Sequence, residues 1–325
     1  MIDRNKMYHL FRRGVSSAAR FPAEVSIVEV GPRDGLQNEE LNIPTENKIE
    51  FVDKLSQSGL QRIEVTSFVS AKWVPQLADA KEVMKKISRN PNVRYSTLTP
   101  NLKGLNDALD SNTQEIAIFG AASETFTKKN INCTIEQSLK QFDQVVQQAN
   151  ANKLPIRGYV SCVVGCPYEG FIKPKIVGQV VEKMLSMGCY EVSLGDTIGV
   201  GNPNTVRDLL TELKRVVSGN MDLLAIHCHD TYGMALVNIV EALESGIRVV
   251  DSSTAGLGGC PYASKGGAAV SGNVATEDVL YLLNSLGVRT GVDMNTILAA
   301  SDIITSVLNR KTNSKVGLAL GCKKN

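Results

Sequence analysis

Two histidines separated by one residue give the chain its clearest chemical signal, in the string His227-Cys228-His229-Asp230. They close a run of apolar and β-branched residues, and side chains two apart on a strand point to the same face. Both imidazoles can therefore address one divalent ion, for which imidazole is a preferred ligand. The third histidine, His9, lies in the N-terminal leader. A second cluster, Gly31-Pro32-Arg33-Asp34-Gly35-Leu36-Gln37, sets a guanidinium beside a carboxylate on a glycine-bounded turn. Such a turn can aim charge into a cleft, although a solvated surface ion pair has the same spelling. A third, Gly256-Leu257-Gly258-Gly259-Cys260-Pro261-Tyr262-Ala263, carries a thiol between glycines and suits either a catalytic loop or a plain connecting one. Finally, Glu29 and Glu64 interrupt strand-like apolar runs. A buried carboxylate is costly unless it is paired or used, and Arg62 and Arg157 are the candidate structural partners.

These groups need a scaffold that brings distant segments together. From Ser26 onward, short β-branched runs alternate with amphipathic stretches of helical period. The expected strands are Ser26–Val30, Arg62–Ser67, Val93–Leu98, Glu115–Phe119, Ile156–Ser161, Glu191–Leu194, Leu223–Cys228 and Val249–Ser253. The expected helices include Glu46–Ser58, Val74–Ile87, Ile135–Ala149, Pro174–Met187, Pro203–Val217 and Met234–Glu244, and the pattern stays helical from about Glu277 through Asn309. Gly59, Gly188 and Gly246 follow helical stretches and read as left-handed helix stops. Regular strand–helix alternation means βαβ units on a parallel sheet, and eight units imply a closed (β/α)8 TIM barrel of the α/β class with a C-terminal helical extension. A doubly wound open sheet ranks lower because no glycine-rich phosphate loop follows the first strand. The expected division is a leader over residues 1–24, a catalytic barrel over 25–290, and an extension and tail over 291–325.

Bulk properties agree. The chain has 325 residues, 43% of them hydrophobic, enough for one large barrel core. Lys and Arg number 35 against 33 Asp and Glu, for a net charge of +2, so nothing electrostatic argues for a nucleic-acid partner. No apolar stretch is long enough to span a membrane. The seven cysteines are odd in number and scattered, which fits reduced thiols better than a disulfide framework. Cys162 and Cys166 lack a second pair with zinc-site spacing.

Taken together, the segments VEVGPRDGLQNE, IEVTSFVSAKWVPQ, LTPNLKG, FGAASETFTKKNIN, SLGDTIGVG, HCHDTYG, GLGGCPYA, SGNVATED and LNRKT resemble the 3-hydroxy-3-methylglutaryl-CoA lyase family. They run from Ser26 to Val316, and GLGGCPYA with HCHDTYG is the most specific part. The resemblance implies a metal-dependent cleavage of 3-hydroxy-3-methylglutaryl-CoA to acetyl-CoA and acetoacetate, as in ketone-body formation and leucine catabolism. It implies Asp34, His227, His229 and Asn273 as ligands of Mg²⁺ or Mn²⁺. Arg33 is then the arginine that stabilises the enolate, and Cys260 the loop thiol that shuttles a proton. Glu64, Asp196 and Glu277 match acidic residues of the reaction centre, and Gln37, Tyr159, Ser161 and Thr197 match substrate contacts alongside Arg33. An acyl-CoA substrate and a homodimeric assembly follow from the same resemblance. Claisen-type condensing enzymes share the Arg-Asp-Gly turn and paired histidines but not the Gly-Gly-Cys loop, and they carry a further domain for which residues 291–325 leave little room. A barrel without catalysis is the third reading.

Two regions depart from the rest. Arg4, Lys6, Arg12, Arg13 and Arg20 accompany Ser16 and Ser17, with Asp3 as the sole acid before Glu24. That composition suits a mitochondrial presequence and a matrix location, with a cytosolic tail as the alternative. Between Cys260 and Asn273 the chain is about four residues longer than the family pattern, an insertion within Ser264–Val270 that costs little closure entropy but is expected to reduce turnover. Cys322 near the C-terminus is expected to be exposed, as either a redox-active or an inert thiol.

Overall fold

The computed structural model describes residues 20–37, 39–258 and 272–321. Its strands are β1 (Ser26–Glu29), β2 (Arg62–Ser67), β3 (Arg94–Leu98), β4 (Glu115–Ala121), β5 (Ile156–Ser161), the short hairpin β6 (Gly165–Cys166) and β7 (Gly170–Phe171), then β8 (Glu191–Asp196), β9 (Leu224–Cys228) and β10 (Val249–Ser252). Eight of them, all but the hairpin, pair in parallel around a closed barrel in the order β1-β2-β3-β4-β5-β8-β9-β10, with β10 returning to β1. The expected strands are all present, their ends displaced by at most two residues. Outward residues such as Ile63, Ile116 and Val192 are fully buried under the helices, which gives each strand its apolar spelling.

The inward face is polar. Arg62 on β2 reaches across to Glu191 on β8 (2.9 Å), and Arg157 on β5 reaches Asp251 on β10 (2.7 Å). Tyr159 on β5 meets Glu64 on β2 at 3.2 Å. A charged group inside a barrel survives only when paired, and here each guanidinium faces two carboxylates or a carboxylate and a phenol.

Helices follow the strands: α1 (Thr45–Leu55), α2 (Ala80–Lys86), α3 (Leu102–Leu109), α4 (Glu124–Ile131), α5 (Ile135–Ala151), α6 (Pro174–Met187), α7 (Pro203–Val216), α8 (Ala235–Glu244), α9 (Thr276–Ser285), α10 (Met294–Val307) and α11 (Lys315–Leu320). One expectation is corrected. The single helix expected over Val74–Ile87 is a 3-10 turn at Pro75–Leu77 followed by α2. Lys48 of α1 is the reason: its buried ammonium takes the Gln76 carbonyl, which a continuous helix would need, and also the Asp79 carboxylate at 2.8 Å. The helical run through Asn309, read as a last barrel helix plus an extension, comprises two helices, α9 and α10. Between them Arg289 exchanges backbone bonds with Ala23 and Val25, and the left-handed Gly287 and Gly291 bracket that excursion. The α10 helix then packs on α1, and α11 on α9.

Gly59, Gly188 and Gly246 have positive φ, of 89°, 114° and 102°, as the helix-stop reading requires. Gly59 is the tightest, because a Cβ there would meet the Gly291 carbonyl oxygen at 2.2 Å. Gly59→Ala is therefore expected to destabilise the fold by more than about 1 kcal/mol, combining left-handed strain with backbone overlap. A urea unfolding midpoint equal to that of the wild type would show that the 287–293 segment yields freely.

Candidate active site

Arg33, Asp34, Glu64, Tyr159, His227 and His229, carried by or directly following β1, β2, β5 and β9, converge at one mouth. Immediately after β1 the chain makes a single π-type turn, Gly31–Gly35, in which the Gly35 amide donates to the Val30 carbonyl five residues back (3.1 Å). That turn presents Arg33 and Asp34 together; such turns recur at functional sites. Glu29 holds it from below. Its carboxylate accepts from the amides of Gly31 (2.9 Å) and Thr254 (2.8 Å) and from the hydroxyls of Thr254 and Thr276 (both 2.7 Å). Glu29 is thus satisfied by amides and hydroxyls, with no arginine involved.

Asp34, His227 and His229 offer one ligand atom each, all within 4.8 Å of one another. Asn273 joins them, its amide donating to Asp34 Oδ2 at 2.8 Å, and it pairs with His229 through an isolated bridge. The electrostatics suit a cation. Burial pushes the Asp34 carboxyl up, but Arg33 and the two imidazoles outweigh it and bring its pKa down to about 2. Burial and the neighbouring His227 lower His229 to about 4, so it is neutral at physiological pH. His227 is disfavoured as a cation by burial, yet Asp251 and Asp34 on its two sides raise its pKa. His229 Nδ1 is buried without a hydrogen-bond partner. An ionised carboxylate, an amide and a neutral imidazole with a bare buried nitrogen are what a divalent ion requires of its ligands.

Arg33 lies against this triad, donating to Asp34 (2.5 Å) and to Glu64 (2.6 Å) while its guanidinium stands 5.4 Å from the Tyr159 ring centre. Glu64 thereby has its partner in Arg33, not in the Arg62 or Arg157 expected from sequence; those two serve Glu191 and Asp251. Burial raises the Glu64 pKa against the pull of Arg33, and its second oxygen is buried with no partner. Asp196, ending β8, is raised to about 6 by burial although the amides of Gly201 and Val200 bond to it.

The other sequence candidates divide. Tyr159 bridges Arg157 and Glu64 beside His227, whose ring centre is 6.3 Å away. Thr197 accepts from the Cys162 amide at 2.8 Å, and Ser161 ends β5 at the same mouth, half-buried. Gln37 instead lines a cavity of about 700 Å³ with Glu39, Lys48, Gln76 and Asp79, none of which belongs to the triad. Glu277 is fully buried and accepts from the Ala255 amide (3.0 Å), next to Ser301 and Glu29, so it supports the chain leaving β10 and does not touch the triad. Cys260, the Ser264–Val270 insertion, Cys322 and residues 1–19 of the leader lie outside the described residues. Asp251 and Arg157 were not singled out as site residues by sequence reasoning. Asp251 breaks an apolar strand just as Glu64 does, and the same rule would have found it.

With the geometry in hand, comparison decides the family. A family profile described as HMGL-like matches residues 24–304. The chain belongs to the HMGL-like family. It is 56% identical over 308 residues to a bovine (Bos taurus) protein named hydroxymethylglutaryl-CoA lyase, mitochondrial, covering 95% of this chain and 93% of that one. It is also 56% identical over 304 residues to the rat (Rattus norvegicus) 3-hydroxy-3-methylglutaryl-CoA lyase named cytoplasmic, covering 94% and 87%. Among solved structures, hydroxymethylglutaryl-CoA lyase from Pseudomonas aeruginosa superposes with a TM-score of 0.90 at 51% identity over 93% of this chain and 98% of that one. An HMG-CoA lyase from Acinetobacter baumannii in complex with coenzyme A and 3-methylmalate gives 0.85 at 35% identity over 93% and 97%. The β/α barrel of the family is the fold seen here.

Glu277 gives a pH signature. Burial is the main cause, with Glu29 adding repulsion, and together they lift its pKa from 4.5 to about 8 against the Ser301 and Ala255 bonds. The folded state thus holds a proton that the unfolded chain releases, so this group's contribution to stability is complete below pH 4.5 and is lost as pH rises towards 8. Glu277→Gln is expected to flatten the fall in Tm between pH 5 and 8.5, assigned roughly 1–3 kcal/mol of pH dependence by linkage. Parallel melting curves for variant and wild type across that range would refute the assignment.

Proposed function

We propose that this chain cleaves 3-hydroxy-3-methylglutaryl-CoA into acetyl-CoA and acetoacetate at the mouth of the barrel, with a divalent cation, Mg²⁺ or Mn²⁺. The observation that carries the reading is the convergence of Asp34, His227 and His229 within 4.8 Å, with the buried Arg33 alongside. The family and its HMG-CoA lyase relatives supply the substrate class, and the bacterial complex with coenzyme A supports an acyl-CoA ligand.

Asp34, His227, His229 and Asn273 would hold the ion. Bound there, it supplies Lewis acidity to the substrate's tertiary hydroxyl and free carboxylate. The remaining work belongs to the chain. Glu64 has an unpartnered, buried carboxylate oxygen and a raised pKa, which suit it to take the hydroxyl proton directly or through water. Loss of that proton collapses the alkoxide to the ketone of acetoacetate and breaks the C2–C3 bond. The electron pair departs as the enolate of acetyl-CoA, and Arg33 is fixed by two carboxylates so that its charge faces the developing oxyanion without reorganising. Cys260 would deliver the proton that completes acetyl-CoA. Asp196, with a pKa near 6 beside His227, is a second group able to exchange protons at neutral pH. Gln37, Tyr159, Ser161 and Thr197 serve as substrate contacts on this reading, and Glu277 acts by bracing the backbone at Ala255.

We read the basic leader as a mitochondrial presequence, with a cytosolic location as the alternative, since relatives carry both names. A homodimer is the expected assembly.

The deciding experiment is acetoacetate release from 3-hydroxy-3-methylglutaryl-CoA, with and without chelator. Wild type should be active and lose activity to chelator, His227→Ala should abolish metal-supported turnover, and Cys260→Ala should slow it severely. Condensation of acetyl-CoA with a 2-oxo acid would favour the synthase reading, and neither reaction would leave a barrel without catalysis. A second test addresses Gly258, which has φ 103° and whose Cβ would stand 2.6 Å from Asn273 Nδ2. Gly258→Ala should displace Asn273 and weaken Mn²⁺ binding by roughly tenfold; unchanged affinity would remove Asn273 from the ligand set.

A further inference from the structure

His227 presents two nitrogens to two carboxylates on opposite sides of its ring. Nε2 faces Asp34 Oδ2 at 3.9 Å, and Nδ1 faces Asp251 Oδ2 at 3.4 Å. The second contact is built by the backbone. His227 and Asp251 are register partners on β9 and β10, so both side chains enter the barrel at one level. Asp251 is itself immobilised, since Arg157 grips both its oxygens (2.7 and 3.1 Å) and the Ser193 hydroxyl donates to Oδ2 (2.7 Å). Arg157 is in turn fixed by Glu191 at 2.6 Å and by the Tyr159 oxygen at 2.8 Å. His227, Asp251, Arg157, Ser193, Glu191 and Tyr159 are all buried, and Asp34 is half-buried.

We infer that Asp251 is the positioning residue for His227: anchored by Arg157, it holds the proton on Nδ1 and turns the bare Nε2 towards the cation site. The inference rests on the cation site proposed above. At 3.4 Å the contact is longer than a finished hydrogen bond, and the Nδ1 that faces Asp251 is buried with no hydrogen-bond partner. A carboxylate behind a ligating imidazole fixes both tautomer and ring orientation, and its loss typically costs 10–100-fold in metal affinity. In Asp251→Asn the amide oxygen stays with Arg157 and the NH₂ group turns to His227, which forces the ring proton onto Nε2, the ligand atom.

Two measurements test this. Titration of free Mn²⁺ by electron paramagnetic resonance should show affinity reduced about 10–100-fold in Asp251→Asn and changed less than about twofold in Ser193→Ala, which removes one support of Asp251 but leaves the imidazole contact. Asp251→Asn binding Mn²⁺ like wild type would overturn the inference. Because that variant strands a buried Arg157 charge and can fail to fold, the second measurement uses wild type alone. The ¹⁵N imidazole spectrum of metal-free protein, recorded at alkaline pH and assigned with His227→Gln, should show the Nδ1–H tautomer, and an Nε2–H tautomer would equally overturn it. Should wild type bind no Mn²⁺ at all, the cation reading fails, while the tautomer still reports on Asp251.

Discussion

Arg33 is the constraint on which the mouth of the barrel is organised. A guanidinium with a side-chain exposure of 7% cannot lose its proton, so the fold must supply negative charge around it. Glu64 and Asp34 do so, and each then carries a second duty: Asp34 faces the histidines, and Glu64 leaves one oxygen bare. Removing either carboxylate would therefore disturb both the arginine and its neighbours. The close packing of unlike charges is what allows two imidazoles, a carboxylate and a fixed arginine to share one small space.

Below that layer the interior repeats the solution. Arg157 and Arg62 sit among Asp251, Glu191 and Glu115, with Tyr159 and Tyr190 as hydrogen-bonding spacers. An apolar barrel interior would be as stable or more so, because paired buried charges barely recover their desolvation. Directional hydrogen bonds that apolar packing cannot give are what this interior adds. They link Glu115, Tyr190, Arg62, Glu191, Arg157 and Asp251 in one chain, and Asp251 faces His227 at 3.4 Å.

Much of this was legible in the sequence because its causes are local. Alternation of β-branched and amphipathic segments marks βαβ units wherever they occur, and all eight barrel strands were placed. The i, i+2 spacing of His227 and His229 already implied a shared face. Less legible were features that depend on a distant partner. The Val74–Ile87 segment has helical periodicity, and only the Lys48 ammonium on another helix takes the Gln76 carbonyl out of the ladder. Glu64 had two arginines nearer in the strand pattern than Arg33, and its choice was fixed by the π-type turn after β1.

By itself, then, the sequence determined the order of elements, the closed parallel sheet, and the residue types able to bind a cation, because periodicity and chirality act over a few residues. Only tertiary structure decided that Asp34, His227, His229 and Asn273 meet at one point, that Glu29 and Glu277 brace the backbone beside the site, and that Asp251 stands behind His227. Those outcomes depend on strand register around a closed ring, where groups more than two hundred residues apart become neighbours, and no local rule of composition or spacing encodes that distance.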